Sequence, residues 1–267
     1  MLLACVAFCA RDAPRSLVLA TTTSLEDSGL LEALLPVFEQ AHPGVRVRVL
    51  AVGTGQALAL GRSRDADVLL VHSPADEAAF LDAGHGELRW PVMENDFVIV
   101  GPPADPAGLR GGRDAVAALR RLAAQRATWA SRGDSSGTHR AEQRLQSAAG
   151  LTNGSGLHVL EVGQGMAETL VLASERGAYA LTDRGTYRSL REKLALDVLV
   201  EGDPRLRNVY SVIIVRGASN SRDAKAFADW LRSQEAQLLI ANFGRERYGG
   251  SLFTPVLRTA NDGSLPR

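Results

Sequence analysis

Residues 16–31 read Ser16-Leu17-Val18-Leu19-Ala20-Thr21-Thr22-Thr23-Ser24-Leu25-Glu26-Asp27-Ser28-Gly29-Leu30-Leu31. The apolar run Ser16–Ala20 has strand character, and Ser28–Gln40 carries Leu30, Leu31, Leu34, Leu35 and Phe38 at helical spacing. Three threonines and a serine therefore lie where a strand ends and a helix begins. Such a junction presents unpaired backbone N–H groups and the positive end of a helix dipole. Four added hydroxyls make a patch of neutral donors, suited to a small, fully ionised anion rather than to a bond-breaking step.

The same strand-then-helix order continues along the chain. Pro43-Gly44 is a turn, and Val45–Val52 alternates with arginines as a half-buried strand. Thr54–Gly61 reads as a helix, Asp67–Val71 as a strand, and Pro74–Ala83 as a helix with proline in its first turn. Leu88–Met93 and the β-rich Asp96–Val100 follow, ended by Pro102-Pro103. A second series has helices at Asp114–Gln125, Gly137–Ala149 and Met166–Arg176 between strands at Ala127–Ser131, His158–Val162, Ala178–Leu181 and Leu196–Val200, with a turn cluster at Asn153-Gly154-Ser155-Gly156. Asn208–Val215 is strongly apolar, helices are expected at Asp223–Ser233 and Glu235–Asn242, and the tail reads as irregular. Alternating β and α predicts parallel sheets wrapped by helices, with a ligand beyond the carboxyl ends of the strands. Two series predict two lobes, with Phe97–Val100 and Tyr210–Val215 as the strands that cross between them. The expected lobe I is residues 14–95 plus 212–267, and lobe II is 96–211.

The bulk composition removes several alternatives. Lys plus Arg equals Asp plus Glu, 30 against 30, and aromatics are 5%, so neither a basic field nor a stacking surface for nucleic acid exists. Both cysteines, Cys5 and Cys9, fall in the first ten residues, so the folded body has no disulfide framework, zinc site or cysteine nucleophile. Residues 1–13 read as the remnant of a signal peptide with a small-x-small site at Ala7-Phe8-Cys9, lacking a basic start and a full apolar core. Leu2-Leu3-Ala4-Cys5 loosely resembles a lipobox, which would make Cys5 a lipid anchor. No later stretch approaches the ~18 apolar residues of a membrane span.

The donor-rich junction recurs in five loops, and these supply the candidate ligand-binding residues. They are Thr22, Thr23 and Ser24 after the first strand, and Thr54 and Gly55 after the second. In the second series come Arg132, Ser135, Ser136, Gly137 and Thr138, then Gln164, Gly165 and Met166, then Thr182 and Arg184. Any single loop has an ordinary reading, because Ser, Thr and Asp are preferred N-caps, and the two arginines could equally form salt bridges, Arg132 with Asp134 or Glu142. Together the loops suit a tetrahedral dianion such as molybdate, tungstate or sulfate, whose oxygens accept hydrogen bonds and donate none. A protonated ligand such as phosphate needs an acceptor as well, which Asp134 or Asp183 could supply.

Ala20-Thr21-Thr22-Thr23-Ser24 with Asp27-Ser28-Gly29-Leu30-Leu31 resembles the amino-terminal motif of periplasmic tungstate-binding proteins of ABC importers. Val52–Ala57, Ser131–His139, Gln164-Gly165-Met166 and Thr182–Tyr187 resemble that family's later motifs in the same order, over roughly residues 16–255. The resemblance implies an α/β type II periplasmic-binding-protein fold, two α/β lobes with mixed sheets joined by a two-strand hinge. It implies that the Thr-Thr-Thr-Ser run hydrogen-bonds the oxyanion and that Arg132 points at it. It further implies a periplasmic, monomeric, non-enzymatic receptor without cofactor or protein-ligated metal, which captures tungstate or molybdate for an ABC importer permease and its ATPase. A phosphate- or sulfate-type receptor is the alternative. A serine hydrolase is remote: Ser136, His139 and Asp183 could be drawn as a triad, but His139 lies three residues on in a helix start and no Gly-x-Ser-x-Gly elbow occurs. The five histidines show no metal-ligand spacing.

Overall fold

The computed structural model describes residues 14–152 and 155–256. The expected signal remnant, the Cys5 anchor and Asn153-Gly154 of the turn cluster lie outside the described residues. In the first part of the chain β1 (Arg15–Thr22), α1 (Thr23–Asp27), α2 (Leu30–Ala41), β2 (Val45–Val52), α3 (Thr54–Ser63), β3 (Val68–Val71) and α4 (Pro74–Asp82) lead into a long strand, β4 (Gly86–Gly101). The middle comprises α5 (Ala115–Ala124), β5 (Thr128–Ser131), α6 (Gly137–Ala148), β6 (His158–Glu161), α7 (Met166–Arg176), β7 (Tyr179–Asp183), α8 (Arg184–Leu190) and β8 (Asp197–Val200). It closes with β9 (Arg207–Val215), α9 (Ser221–Leu231), α10 (Gln234–Asn242), α11 (Arg245–Tyr248) and β10 (Thr254–Pro255).

The strands form one path, β2-β1-β3-β9-β4-β7-β5-β6, with β10 and β8 also on β4. β1 runs parallel to β2 and β3, and β5 parallel to β6 and β7, while β9 and β4 are antiparallel to their neighbours, so the sheet is mixed. β4 is the joint. Its residues Gly86–Asp96 pair with β9, and Phe97–Val100 pair with β7. Where Leu88–Met93 and Asp96–Val100 read as two runs, the chain forms one strand of 16 residues. β9 pairs with β3 and with β4 up to Asp96 and does not extend along β7, so β4 alone runs through both halves of the sheet among the described residues.

Each half buries both faces, and the alternation of the strands sorts its side chains. Val68 and Leu70 of β3 join Val212 and Ile214 of β9 on the side of α2, α9 and α10. Leu69 and Val71 join Ile213 and Val215 on the side of α3 and α4. In the other half Phe97, Ile99, Trp129 and Leu181 face α5 and α6, while Val98, Val100, Ala130 and Ala180 face α7 and α8. This period of two is what pleated backbone imposes, and near-continuous apolar runs are the mark of strands covered on both sides.

Three local differences from the sequence reading have simple causes. Thr21 and Thr22 continue β1, because Thr21 Oγ1 donates to Leu70 O at 2.7 Å and ties the threonine into the β1–β3 pairing. Gly29 at φ +78° then separates the short α1 from α2, with Ser28 Oγ donating to Leu25 O and accepting from Leu30 N. In the tail, Thr254-Pro255 adds a short strand to β4, which periodicity could not reveal at two residues.

At the far end of β4, Gly101 lies against the Tyr179 ring and Leu199, and a Cβ there would overlap both. Gly101→Ala should therefore cost about 1–3 kcal/mol by overpacking, read from the midpoint of urea unfolding; an unchanged midpoint would show that the Tyr179 ring yields freely.

Candidate functional site

On the first-half side, the carboxyl ends of β1 and β2 open into helix starts whose hydroxyls are not used as caps. Thr22 is the N-cap residue of α1 yet makes no side-chain cap bond. Its Oγ1 lies 3.4 Å from Ser24 Oγ, and both residues are buried; Thr23 between them is half-buried. Thr54, first residue of α3, is fully buried and its Oγ1 has no hydrogen-bond partner. A buried hydroxyl without a partner costs the desolvation of that group unless a ligand or water supplies the acceptor.

Opposite lies the β5–α6 loop. Gly133 and Ser135 take left-handed conformations, φ +63° and +58°, which fold the loop back on itself. Arg132 is only 3% exposed, and its guanidinium pairs with Asp134. Asp134 also accepts from Ser136 N at 3.0 Å, Ser135 N donates to His139 Nδ1 at 2.9 Å, and Ser136 Oγ caps α6 by accepting from His139 N. Beneath the loop Glu142 accepts from Ser131 Oγ at 2.6 Å, from Arg132 N and from Trp129 Nε1. Burial pushes its carboxyl from the ordinary 4.5 up to about 7, with the Ser131 hydrogen bond chief among the opposing effects.

Arg132 is a cation felt from both halves of the sheet. It acts on Asp27 of α1, on His72 after β3 and on Asp183 at the end of β7, which come from both halves of the sheet. The halves touch around it. A Cβ on Gly137 would overlap the His72 ring, one on Gly55 would come within 3.9 Å of Ser135 O, and Arg140 meets Asp76 at 3.5 Å. Thr138 is buried beside Gly137. These contacts bring Thr54-Gly55 and Ser135–Thr138 together across the seam.

The remaining candidates divide. Gly165 is the N-cap of α7 and Met166 is fully buried, but Gln164 is exposed. Thr182 is buried, its hydroxyl donating to Asp183 O at 3.0 Å. Arg184 is held elsewhere: its guanidinium bonds Asp96 at 2.7 and 2.5 Å and Glu201 at 2.7 Å, which clamps it to β4 where the pairing changes from β9 to β7. The drawn triad does not assemble, because the His139 ring serves Ser135 N and Gln143, and Asp183 accepts from Thr186 N and Oγ1. No group of three His, Cys, Asp or Glu able to hold a metal ion occurs among the described residues.

Sequence reasoning passed over a buried polar chain at the hinge. His72 Nδ1 lies 2.8 Å from Asn208 Oδ1, and Asn208 Nδ2 donates to Asn95 Oδ1 at 2.7 Å. Burial lowers the His72 imidazole to about 4, so it is neutral at pH 7. The Tyr210 ring lies tilted against His72, centroids 4.6 Å apart, and its hydroxyl lies beside Asn208, Ser24 and Asn95. The available signal was two asparagines, each at the start of a strongly apolar strand run.

The PBP superfamily domain matches residues 10–235. This chain belongs to the PBP superfamily. Among relatives of this superfamily member, the tungstate-binding protein TupA of Peptoclostridium acidaminophilum is 47% identical over 246 residues, covering 90% of this chain and 85% of that one. The tungstate-binding protein TupA of Campylobacter jejuni is 37% identical over 228 residues, covering 82% and 84%. Among solved structures, tungstate binding protein TupA from Desulfovibrio alaskensis G20 is 42% identical with a TM-score of 0.78, covering 91% of this chain and all of that one (100%). The tungstate ABC transporter structure from Geobacter sulfurreducens is 43% identical with the same TM-score of 0.78, covering 87% and 100%.

The raised carboxyl beneath Arg132 has a measurable sign. A group whose folded-state value exceeds its unfolded value stabilises fully below the unfolded value, and that contribution is lost as pH rises through the folded one. Wild type should therefore lose stability relative to Glu142→Gln between pH 4.5 and about 7, by up to about 1.4 kcal/mol per pH unit, and level off above. Urea unfolding of both proteins across pH 4.5–8 checks this, and a flat difference would mean an ordinary carboxylate.

Proposed function

We propose that this chain is an extracytoplasmic solute-binding protein that captures tungstate between two lobes and delivers it to the permease and ATPase of an ABC importer. The lobes are assigned as 14–95 plus 212–267 and 96–211, closing as a monomer in the periplasm. The observation that carries the reading is the buried Arg132, set between donor-rich helix starts of both halves. The names and structures of the relatives support the substrate. A receptor role needs no assembled nucleophile, and Ser136, His139 and Asp183 each have other partners.

The loop chemistry favours a fully ionised anion over a protonated one. Phosphate near neutral pH retains a proton that must meet an acceptor. The two loop carboxylates already accept from protein donors, Asp134 from Arg132 and Ser136 N, Asp183 from Thr186 N and Oγ1, which weakens them as acceptors for a phosphate proton. What remains is a guanidinium, helix N-termini and hydroxyls such as Thr54 Oγ1, all of which can donate. In this reading Thr22, Thr23, Ser24, Thr54 and Gly55 form one wall. Arg132, Ser135, Ser136, Gly137, Thr138, Gln164, Gly165, Met166 and Thr182 form the other, with backbone N–H groups serving where side chains are engaged. Molybdate has the same charge and nearly the same size, so it competes, while the smaller sulfate fits the donors less well.

Calorimetric titration of the protein with tungstate, molybdate, sulfate and phosphate tests the assignment. Tungstate should bind more tightly than sulfate and phosphate; equal or weaker tungstate binding would overturn it. Arg132→Ala should weaken tungstate binding about 10- to 100-fold, the scale of a charge-assisted hydrogen bond. Unchanged affinity would remove Arg132 from the site.

A further inference from the structure

Asn95 stands on β4 where pairing passes from one half of the sheet to the other: it faces Asn208 of β9, and Phe97 two residues on faces Asp183 of β7. Its two amide atoms have opposite fates. Oδ1 accepts from Asn208 Nδ2 at 2.7 Å, and Asn208 Oδ1 is held in turn by His72 Nδ1 at 2.8 Å. Nδ2 is buried and has no hydrogen-bond partner, although the residue retains 8% exposure. An amide donor left in that state is costly, because it forgoes water without gaining a protein acceptor.

The orphaned donor lies next to the first-wall hydroxyls. Tyr210 OH lies beside Ser24 as well as Asn95, and Ser24 Oγ is 3.4 Å from Thr22 Oγ1. Thr54 Oγ1 is a second buried group without a partner, at the start of α3. Four buried side-chain atoms among the described residues lack a hydrogen-bond partner; Arg140 Nε lies 3.5 Å from Asp76 and Ser211 Oγ lies beside Glu77, which leaves Thr54 Oγ1 and Asn95 Nδ2, both capable of donating, as the pair that one absent acceptor would satisfy.

We propose that Asn95 is a ligand-binding residue: its Nδ2 donates to the bound oxyanion from the hinge strand itself, where the five loops contribute from the lobes. This rests on the oxyanion-receptor reading above. The contact has a mechanical consequence. Asn95 is fixed through Asn208 to His72, and the His72 ring packs on Gly137 of α6. An anion held by Asn95 therefore engages the strand that bends when the lobes part, and it favours the closed arrangement. It also adds selectivity, since an amide N–H donates more strongly to an ionised oxygen than to a ligand hydroxyl and cannot accept the hydroxyl's proton.

The test is tungstate titration of wild type, Asn95→Asp and Asn95→Ala at micromolar protein, at pH 8 and pH 5.5, with thermal unfolding of each ligand-free protein. Asn95→Asp keeps an oxygen for Asn208 and replaces the donor with a negatively charged acceptor. Asn95→Ala should lose about 10- to 100-fold in affinity, and Asn95→Asp more at pH 8. The Asn95→Asp deficit relative to wild type should shrink at pH 5.5, where a protonated carboxyl can donate in place of the amide. A purely structural role would not produce that recovery. Variants that bind within threefold of wild type, or an Asn95→Asp deficit identical at both pH values, would overturn the Asn95 assignment and leave the receptor reading standing. Wild type that binds none of tungstate, molybdate, sulfate or phosphate would overturn both.

Discussion

The arrangement depends on β4 remaining a single strand while its neighbours change. Through Asp96 its backbone groups are paired with β9, and from Phe97 they are paired with β7. Pairing passes from β9 at Asp96 to β7 at Phe97 without a residue between, and this ladder holds the two halves in register. That register decides where every strand end points. The carboxyl ends of β1, β2 and β3 meet those of β5, β6 and β7 across one seam, and each end delivers a loop to it.

At this seam the electrostatics are asymmetric. The carboxylates of the loops already accept from protein donors, Asp134 half-buried and Asp183 fully enclosed, so the groups facing an anion are mainly donors. Glu142 holds three donors of the β5 strand and its loop, Asp134 binds Arg132, and Asp183 caps α8. These three carboxylates each shape a loop, whereas two others stay close to the site: Glu168, in the first turn of α7 against Gly165, and Asp27, whose carboxyl burial and Glu168 raise and Arg132 opposes. A site built this way replaces the hydration shell of an anion with fixed dipoles, which need not reorganise when it arrives.

Much of the architecture was legible because the chain alternates apolar strands with amphipathic helices, and strand burial on both faces reads as continuous apolar runs. Met166–Arg176 is a helix with the expected bounds, and Leu30, Leu31, Leu34 and Phe38 are buried as their spacing required. The short α1 was hidden because five residues carry no period, and Gly29 separates it from α2 through backbone conformation rather than through hydrophobic pattern. The continuity of β4 was hidden by Glu94, Asn95 and Asp96, three polar residues that interrupt the apolar pattern where the strand passes the seam.

The site divides along the same line. Which residues could donate was written in the sequence, because Thr, Ser, Arg and a helix start have fixed chemistry wherever they fall. Which of them remain free is a property of the tertiary structure, since it depends on partners distant in the chain. Thr21 turns to Leu70, Arg184 to Asp96 and Glu201, and Ser136 to its own helix, whereas Thr54 Oγ1 and Asn95 Nδ2 find nothing. The sequence alone determined the alternation of elements and the stock of donors. Only the folded packing decided their availability, because a hydrogen bond consumes a donor according to what lies within about 3 Å of it, not what lies beside it in the chain.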